Sequence, residues 1–471
     1  MKKITALALA AVMLIALCPS ASADGAEDYI ALTGGVSMEM MSADYWLSKK
    51  NKQAAHKDKV LMSTDEIAEF NRGCSAMISC GGTELSLADI PDILSGEIVR
   101  GFISSAAAPE DPVSKYLWGQ PTNEEYWAAL EQNRNLDAVP GTVEVRFGYS
   151  VARASLRLFP SNDFIGGTPE DRLYDKLVMS EFMPYLPLAV LHESTDGEWY
   201  YVMLYGFGGW IEKKNVAICT SREDWENRME PESFLTVTGR ELRLAEEPYS
   251  PGVSGIILPM GTKLPLVRPE DVPQPINRRR SYGCYVVKLP VRLSDGTIGD
   301  EYTLVPMTED VSTGYLPYTR ANVIELAFKL LGDRYGWAGM YGANDCSGIV
   351  HEVYACFGFC LPRTAEAIMK LGGFEYTDMS AMSDAEKLRA LDAVPAGSLL
   401  GFPGHIMIYL GRSGGRAYVI SAVGSFGPAD MQGGYDCAVN SVTVNSLADT
   451  RRRSGKTWLE SLDGAILSTG A

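Results

Sequence analysis

Histidine is scarce in this chain. There are four in 471 residues, His56, His192, His351 and His405. Any chemistry that needs an imidazole therefore has few candidates. Positive charge is also short: 42 Lys and Arg stand against 59 Asp and Glu, a formal charge of −17. Such a surface repels nucleic acid and anionic membranes. The runs Arg278-Arg279-Arg280 and Arg451-Arg452-Arg453 are too short to reverse that and read as solvated loop charges. Paired C-x-x-C spacing is missing, which excludes that kind of zinc site, and no metal or other cofactor is expected. Beyond the first 23 residues no segment approaches about 18 uninterrupted apolar residues, so no spanning helix is expected in the mature chain.

The first 23 residues read as an export signal: a basic start at Lys2 and Lys3, an apolar run from Ile4 to Leu17, and the small-x-small site Ala21-Ser22-Ala23. Cleavage there removes two lysines and no acid, taking the charge from −17 to −19. The expected location is the periplasm or cell envelope. Lipid attachment at Cys18 is disfavoured, because Leu17 stands where a small residue is usual. Eight cysteines remain: Cys74, Cys80, Cys219, Cys284, Cys346, Cys356, Cys360 and Cys437. If one is a free nucleophile, the other seven cannot all pair. Cys356 and Cys360 straddle Gly358 and read as small buried residues.

The length is too great for one core and suggests about three to four domains. Residues 24–135 read as a mixed or helical region. Ser63-Thr64-Asp65-Glu66 ahead of Ile67 and Phe70 is a helix start signal, and Ser42-Ala43-Asp44-Tyr45 looks like another. Residues 136–228 turn to short strands with Gly and Asp turns, as in Glu198 to Leu204 after Asp196-Gly197, and predict a small β-barrel. Residues 229–312 form a second β-rich unit, with a proline-rich loop from Arg268 to Pro275. Residues 313–471 place helices before strands, an α+β order. No long linker appears, so the domains are expected to pack together.

The chemistry gathers in the last segment. In Asn344-Asp345-Cys346-Ser347-Gly348, the cysteine precedes Ile349, Val350, Val353, Tyr354 and Phe357, which recur at helical spacing. Cys346 is thus predicted at a helix N-terminus, where free N–H groups and the dipole favour a thiolate. His405 lies 59 residues on and opens an alternating strand, with Ile406, Ile408 and Leu410 on one face and Met407 and Tyr409 on the other. His351 follows Cys346 by five residues, so its side chain points about 140° away. His405 is the predicted general base. The expected turn runs from Gly411 to Arg416. Pairing Leu410 with Arg416 in the returning strand sets Ser421 opposite His405, as a candidate third group to orient the imidazole. A one-residue slip would turn Ser421 to the other face.

Residues 313–471 resemble the catalytic domain of the NlpC family of papain-like cell-wall cysteine peptidases. The resemblance rests on Tyr335-Gly336-Trp337-Ala338-Gly339, Asp345-Cys346-Ser347-Gly348, Leu361-Pro362-Arg363 and Gly404 to Gly411. Leu191-His192-Glu193-Ser194, Gly197-Glu198-Trp199-Tyr200 and Gly209-Trp210 resemble the bacterial SH3-like domain of multidomain members, and residues 229–312 their second such domain. Ala43 to Trp46 and Lys59 to Ser63 resemble their N-terminal stabilising region. The resemblance implies hydrolysis of peptidoglycan stem peptides or muropeptides between γ-D-glutamate and the diamino acid. It also implies Cys346 as nucleophile, His405 as base and Tyr335 as an oxyanion donor, with Asp345 and Ser347 lining the substrate cleft. Two positions depart from the family pattern. Ser421 stands where His, Asn or Gln is usual. Thr364 stands where members selective for a free N-terminal amine often carry an aspartate. Two other readings remain open: a wall-binding protein with a weak or inactive catalytic domain, and an amidase or acyltransferase using the same dyad.

Overall fold

The computed structural model of the protein describes residues 30–73, 77–80, 83–204, 206–427 and 437–467. The expected export signal with Cys18, and Cys74, lie outside the described residues, as do the side chains of Cys80 and Cys437. No helix among the described residues is long and apolar enough to cross a membrane.

The C-terminal part is an α+β unit. Its six-stranded antiparallel sheet runs, edge to edge, Tyr376–Asp378, Gly464–Ile466, Leu399–Phe402, His405–Ser413, Arg416–Phe426 and Cys437–Ser446. The helix Cys346–Ala355 lies on one face. Its Ile349, Val350 and Val353 meet Ile406, Ile408, Leu410 and Ile420 in one buried cluster. Met407, Tyr409, Val419 and Val423 point the other way, against Trp458 and Leu459. The apolar alternation read from Ile406 onward thus sorts onto two cores.

Helix ends follow local chemistry. Ser63 and Glu66 exchange hydrogen bonds at the start of Thr64–Gly73, the reciprocal cap that the sequence signals. The helix Arg320–Lys329 is capped by Thr319, and Gly332, at φ +84°, takes the left-handed turn beyond its end.

Upstream, a seven-stranded antiparallel sheet is ordered Val178–Phe182, Ala154–Arg157, Phe207–Glu212, Trp199–Leu204, Pro187–Glu193, Arg146–Ser150 and Val216–Ile218. A five-stranded sheet follows, ordered Ile298–Pro306, Cys284–Arg292, Lys263–Val267, Phe234–Val237 and Val311–Thr313. The strand Val178–Phe182 carries no clean alternation and was not legible in the sequence. The proline-rich loop holds only a short 3-10 turn, Pro269–Asp271.

The N-terminal region does not form one core of its own. Met40, Trp46, Leu47, Leu61 and Phe70 join the buried cluster of the cysteine helix. Leu87, Ile90, Leu94, Val99 and Phe102 instead join that of the first β-unit. The segment therefore straps two parts of the molecule.

Candidate active site

Asp345 caps the cysteine helix. Its Oδ1 accepts from Gly348 N at 2.7 Å. Cys346 is the first helical residue, as the sequence predicts, and remains partly accessible. Its thiol sits beside the backbone N–H of Ile406, the residue after His405. The imidazole rests against Phe402 and Trp458, with ring centroids 5.3 and 5.1 Å away. Its Nε2 lies 3.1 Å from Ser421 Oγ. Thiol, imidazole and hydroxyl are thus gathered at the mouth of the helix.

The register that achieves this differs from the expected one. The hairpin turns at Gly414 and Gly415, both at positive φ, and pairs Ser413 with Arg416, not Leu410 with Arg416. From Ser413 to Gly411 the pairing continues in that phase. A β-bulge then intervenes, and Tyr409 pairs with Val419 and Ile408 with Ile420. In this shifted phase Ser421 is the diagonal neighbour of His405 on the same face. The side expected for Ser421 was right, but the direct opposition was not.

The electrostatics also correct an expectation. Burial, reinforced by the Asp345 carboxylate, pushes the Cys346 thiol up to about 12. Burial, with Arg452 nearby, pushes the His405 imidazole down to about 4. Desolvation is the largest cause of both shifts, and it favours the neutral thiol and the neutral imidazole. Ser421 thus engages Nε2 of the His405 ring.

Asp345 and Ser347 are bonded into the start of the helix. Arg363 clamps the Asp345 carboxylate with two bonds of 2.9 and 2.8 Å, and donates to Ser347 Oγ at 2.7 Å. Burial alone would raise the Asp345 carboxyl, but the guanidinium overrides it and holds it below the usual range. Ser347 is buried. Both residues build the helix start. Thr364 is exposed, and its Oγ1 caps the helix Ala365–Met369 by accepting from Ala367 N at 3.2 Å. Tyr335 is half-buried among Asp345 and Cys346, and its phenol is raised by burial, so it stays protonated as a donor.

The other histidines are accounted for structurally. His351 Nε2 lies 3.0 Å from Pro362 O, away from the thiol. His192 Nε2 lies 2.9 Å from Asn135 O. His56 is exposed in a turn. Cys356 is buried as expected, but Cys360 is exposed.

Three further residues support the site. Arg153, in the first β-unit, donates to Gly339 O and Ala343 O at 2.9 Å each and pairs with Glu181 at 3.0 Å. It holds the loop that delivers Asn344-Asp345-Cys346. Tyr174 comes from the same unit. A Cβ on Gly424 would lie 2.8 Å from its Oη and 3.4 Å from Tyr335 Cε1, so these two aromatics share one small space. Arg363 Nε reaches Ser180 Oγ at 2.8 Å, a third link from this unit. Only the Pro362-Arg363 motif gave a signal; Arg153 and Tyr174 sit far off in sequence with nothing to mark them.

A cysteine-bearing helix packed on an antiparallel sheet that presents a histidine beside it defines a thiol-hydrolase layout. Residues 332–425 match the NlpC/P60 family, and residues 166–212 match the SH3 domain of SH3b1 type. The chain therefore carries a domain of the NlpC/P60 family, preceded by an SH3 domain of SH3b1 type. A curated relative, Dipeptidyl-peptidase 6 of Lysinibacillus sphaericus, is 29% identical over 129 residues, which is 27% of this chain and 36% of that protein. The match thus spans about a third of the relative's length. The solved NlpC/P60 endopeptidase of Photobacterium damselae subsp. piscicida shares the fold, with a TM-score of 0.66 over 94% of this chain and 99% of that one, at 17% identity. An NlpC/P60 family protein of Bacillus cereus aligns with a TM-score of 0.41 at 18% identity, over 62% of this chain and 82% of that one.

Proposed function

We propose that the protein is an exported cysteine peptidase that cleaves peptidoglycan stem peptides, at the bond between γ-D-glutamate and the diamino acid. The observation that carries this reading is the cluster of Cys346, His405 and Ser421 at the helix mouth, with the His405–Ser421 contact of 3.1 Å. As Cys346 Sγ attacks the scissile carbonyl, His405 Nδ1 takes the thiol proton. The pair becomes charged only in the presence of substrate. Ser421 holds the ring and its tautomer, a weaker orienter than a carboxylate because it carries no charge. Backbone N–H groups at the helix start and the Tyr335 hydroxyl receive the oxyanion. The imidazolium then protonates the leaving amine, and water, deprotonated by His405, hydrolyses the thioester.

The matched relative is a dipeptidyl-peptidase by name, which supports a short peptide as substrate. Position 364 bears a hydroxyl already used as a helix cap, so strict selection for a free N-terminal amine is not expected from it.

The test is incubation of the full chain with defined muropeptides, followed by mass identification of fragments. The expected products separate after γ-D-Glu. Cys346→Ala abolishes them, and His405→Ala lowers the rate by several orders of magnitude. Activity that survives Cys346→Ala and is lost with another cysteine would remove the site assignment. Binding to wall material without any cleavage would favour the wall-binding reading.

A further inference from the structure

The hydroxyl of Ser421 reaches His405 only because one residue is inserted in the neighbouring strand. Between Ser413 and Gly411 the hairpin is phased so that Gly411 pairs with Tyr418. Carried on unchanged, that phase would set Ser421 opposite Ile408, on the face that packs against the cysteine helix. Gly424 would then stand opposite His405, and Ala422 would take the diagonal place on its face that Ser421 now holds. Leu410 is the extra residue that prevents this. Its insertion shifts the phase by one, and a shift of one exchanges the faces.

A bulge leaves backbone groups of its extra residue without ladder partners. Here the Leu410 carbonyl accepts from Asn51 Nδ2 at 2.8 Å. Asn51 belongs to the N-terminal segment, is buried, and is itself fixed. Its Nδ2 also donates to Trp46 O at 2.7 Å, and its Oδ1 accepts from Gln53 N at 3.3 Å. The fit is close. A Cβ on Gly411, at φ +125°, would lie 2.4 Å from Asn51 Oδ1 and 2.6 Å from Nδ2. The same segment meets the hairpin again through Tyr45 Oη to Ser413 Oγ at 2.7 Å, and Gln53 O accepts from Ala396 N, ahead of the strand Leu399–Phe402, at 2.9 Å.

We infer that Asn51 is a positioning residue for the active site: by holding the bulge at Leu410 it sets the strand phase that brings Ser421 to His405. This inference rests on the proposed roles of His405 and Ser421. It assigns to the N-terminal segment a part in catalysis that its own sequence, free of reactive motifs, does not announce. The side chain acts through geometry and touches neither the thiol nor the imidazole.

The experiment uses the full chain with isotopically labelled histidine. Four histidines give a ring spectrum simple enough to assign by substitution. Ser421→Ala is expected to move the His405 Nε2 signal. Asn51→Ala and the near-isosteric Asn51→Asp, which presents an oxygen to the Leu410 carbonyl, should move it in the same direction and leave His192 and His351 in place. In muropeptide cleavage, Asn51→Ala should lower kcat about tenfold or more with KM within about twofold. In a Ser421→Ala background the same substitution should cost less than about twofold, because the interaction it protects is already gone. The inference is overturned if Ser421→Ala shifts the His405 signal and neither Asn51 variant does. It is also overturned if the loss in kcat is equal in both backgrounds, since a general loss of packing would be additive. Failure of both Asn51 variants, and of the milder Asn51→Ser, to fold would assign Asn51 to stability alone and overturn it as well. If the wild type cleaves no muropeptide, the peptidase reading falls, and the ring spectra still decide the role of Asn51.

Discussion

The reactive residues are held in their uncharged forms by burial, and this fixes the expected pH behaviour. A His405 imidazole lowered to about 4 is a neutral base at any higher pH, and activity through it is lost only as the pH falls through that value. A Cys346 thiol raised to about 12 stays protonated across the neutral range. The pH profile of kcat/KM, which reports the free enzyme, should therefore be flat from about 5 to 9. Alkylation of Cys346 by iodoacetamide should be slow at neutral pH and accelerate toward alkaline pH. A bell centred near neutrality would contradict this picture. Arg363 illustrates the other side of burial. Its ion pair with Asp345 is largely out of solvent on both sides, so Arg363→Met strands a carboxylate at the helix cap. Removing one partner of such a pair costs about 3–5 kcal/mol, and chemical denaturation should show a loss of that order. His351→Ala removes a ring bonded to Pro362 O and is expected to lower the melting temperature with little effect on the rate. The sequence pointed to Cys346 and His405 because helical spacing and strand alternation are local. It could not give the protonation states, since the desolvation that sets them comes from chain segments far off.

Among the elements, the segment before the cysteine helix is the least regular part of the site. Ala338 and Tyr341 take left-handed conformations, at φ 52° and 65°, and Gly339 stands at φ 94°. Two turn bonds hold it from within, Gly339 N to Gly336 O at 3.1 Å and Ala343 N to Met340 O at 3.2 Å. Arg153 holds it from outside, by bonding two of its carbonyls from the first β-unit. Arg153→Met leaves both carbonyls without that partner. Each lost bond of this kind costs about 1–3 kcal/mol when the group stays buried. We expect a drop in kcat exceeding the change in KM, because the loop leads into Cys346, the proposed nucleophile, together with a modest fall in melting temperature. Steady-state kinetics beside thermal denaturation checks both. Equal kcat in variant and wild type would show that the cysteine helix holds its start without the β-unit.

Across the whole molecule, a cavity of about 380 Å³ lies where the two β-units meet the back of the cysteine helix, lined among others by Tyr185, Lys263, His351 and Glu352. The first β-unit also reaches the reactive side through Tyr174, beside Tyr335. A site walled by a second domain admits a free stem peptide more readily than a cross-linked wall. Soluble muropeptides should be cut faster than intact sacculi, and N-acetylation of L-Ala-γ-D-Glu-diaminopimelate peptides should have a small effect, as no carboxylate stands at position 364. Comparing release rates from the three substrates checks this. Equal rates on sacculi and muropeptides would leave the β-units no part in selection.

What the sequence determined by itself is local: the cap at Ser63, the helix that begins at Cys346, the alternating strand from His405 and the α+β order of the last part. Each follows from residue spacing within a few turns or one strand. What only the tertiary structure decided depends on distant partners. The bulge at Leu410 changes the face on which Ser421 lies, and no pattern within the hairpin marks it, because its carbonyl is satisfied by Asn51, some 359 residues away. The ion pair of Asp345 with Arg363 joins residues 18 apart. The N-terminal region reads as one unit, yet its apolar residues divide among three buried clusters, because burial is settled by which surface is near and not by which residues are adjacent in the chain.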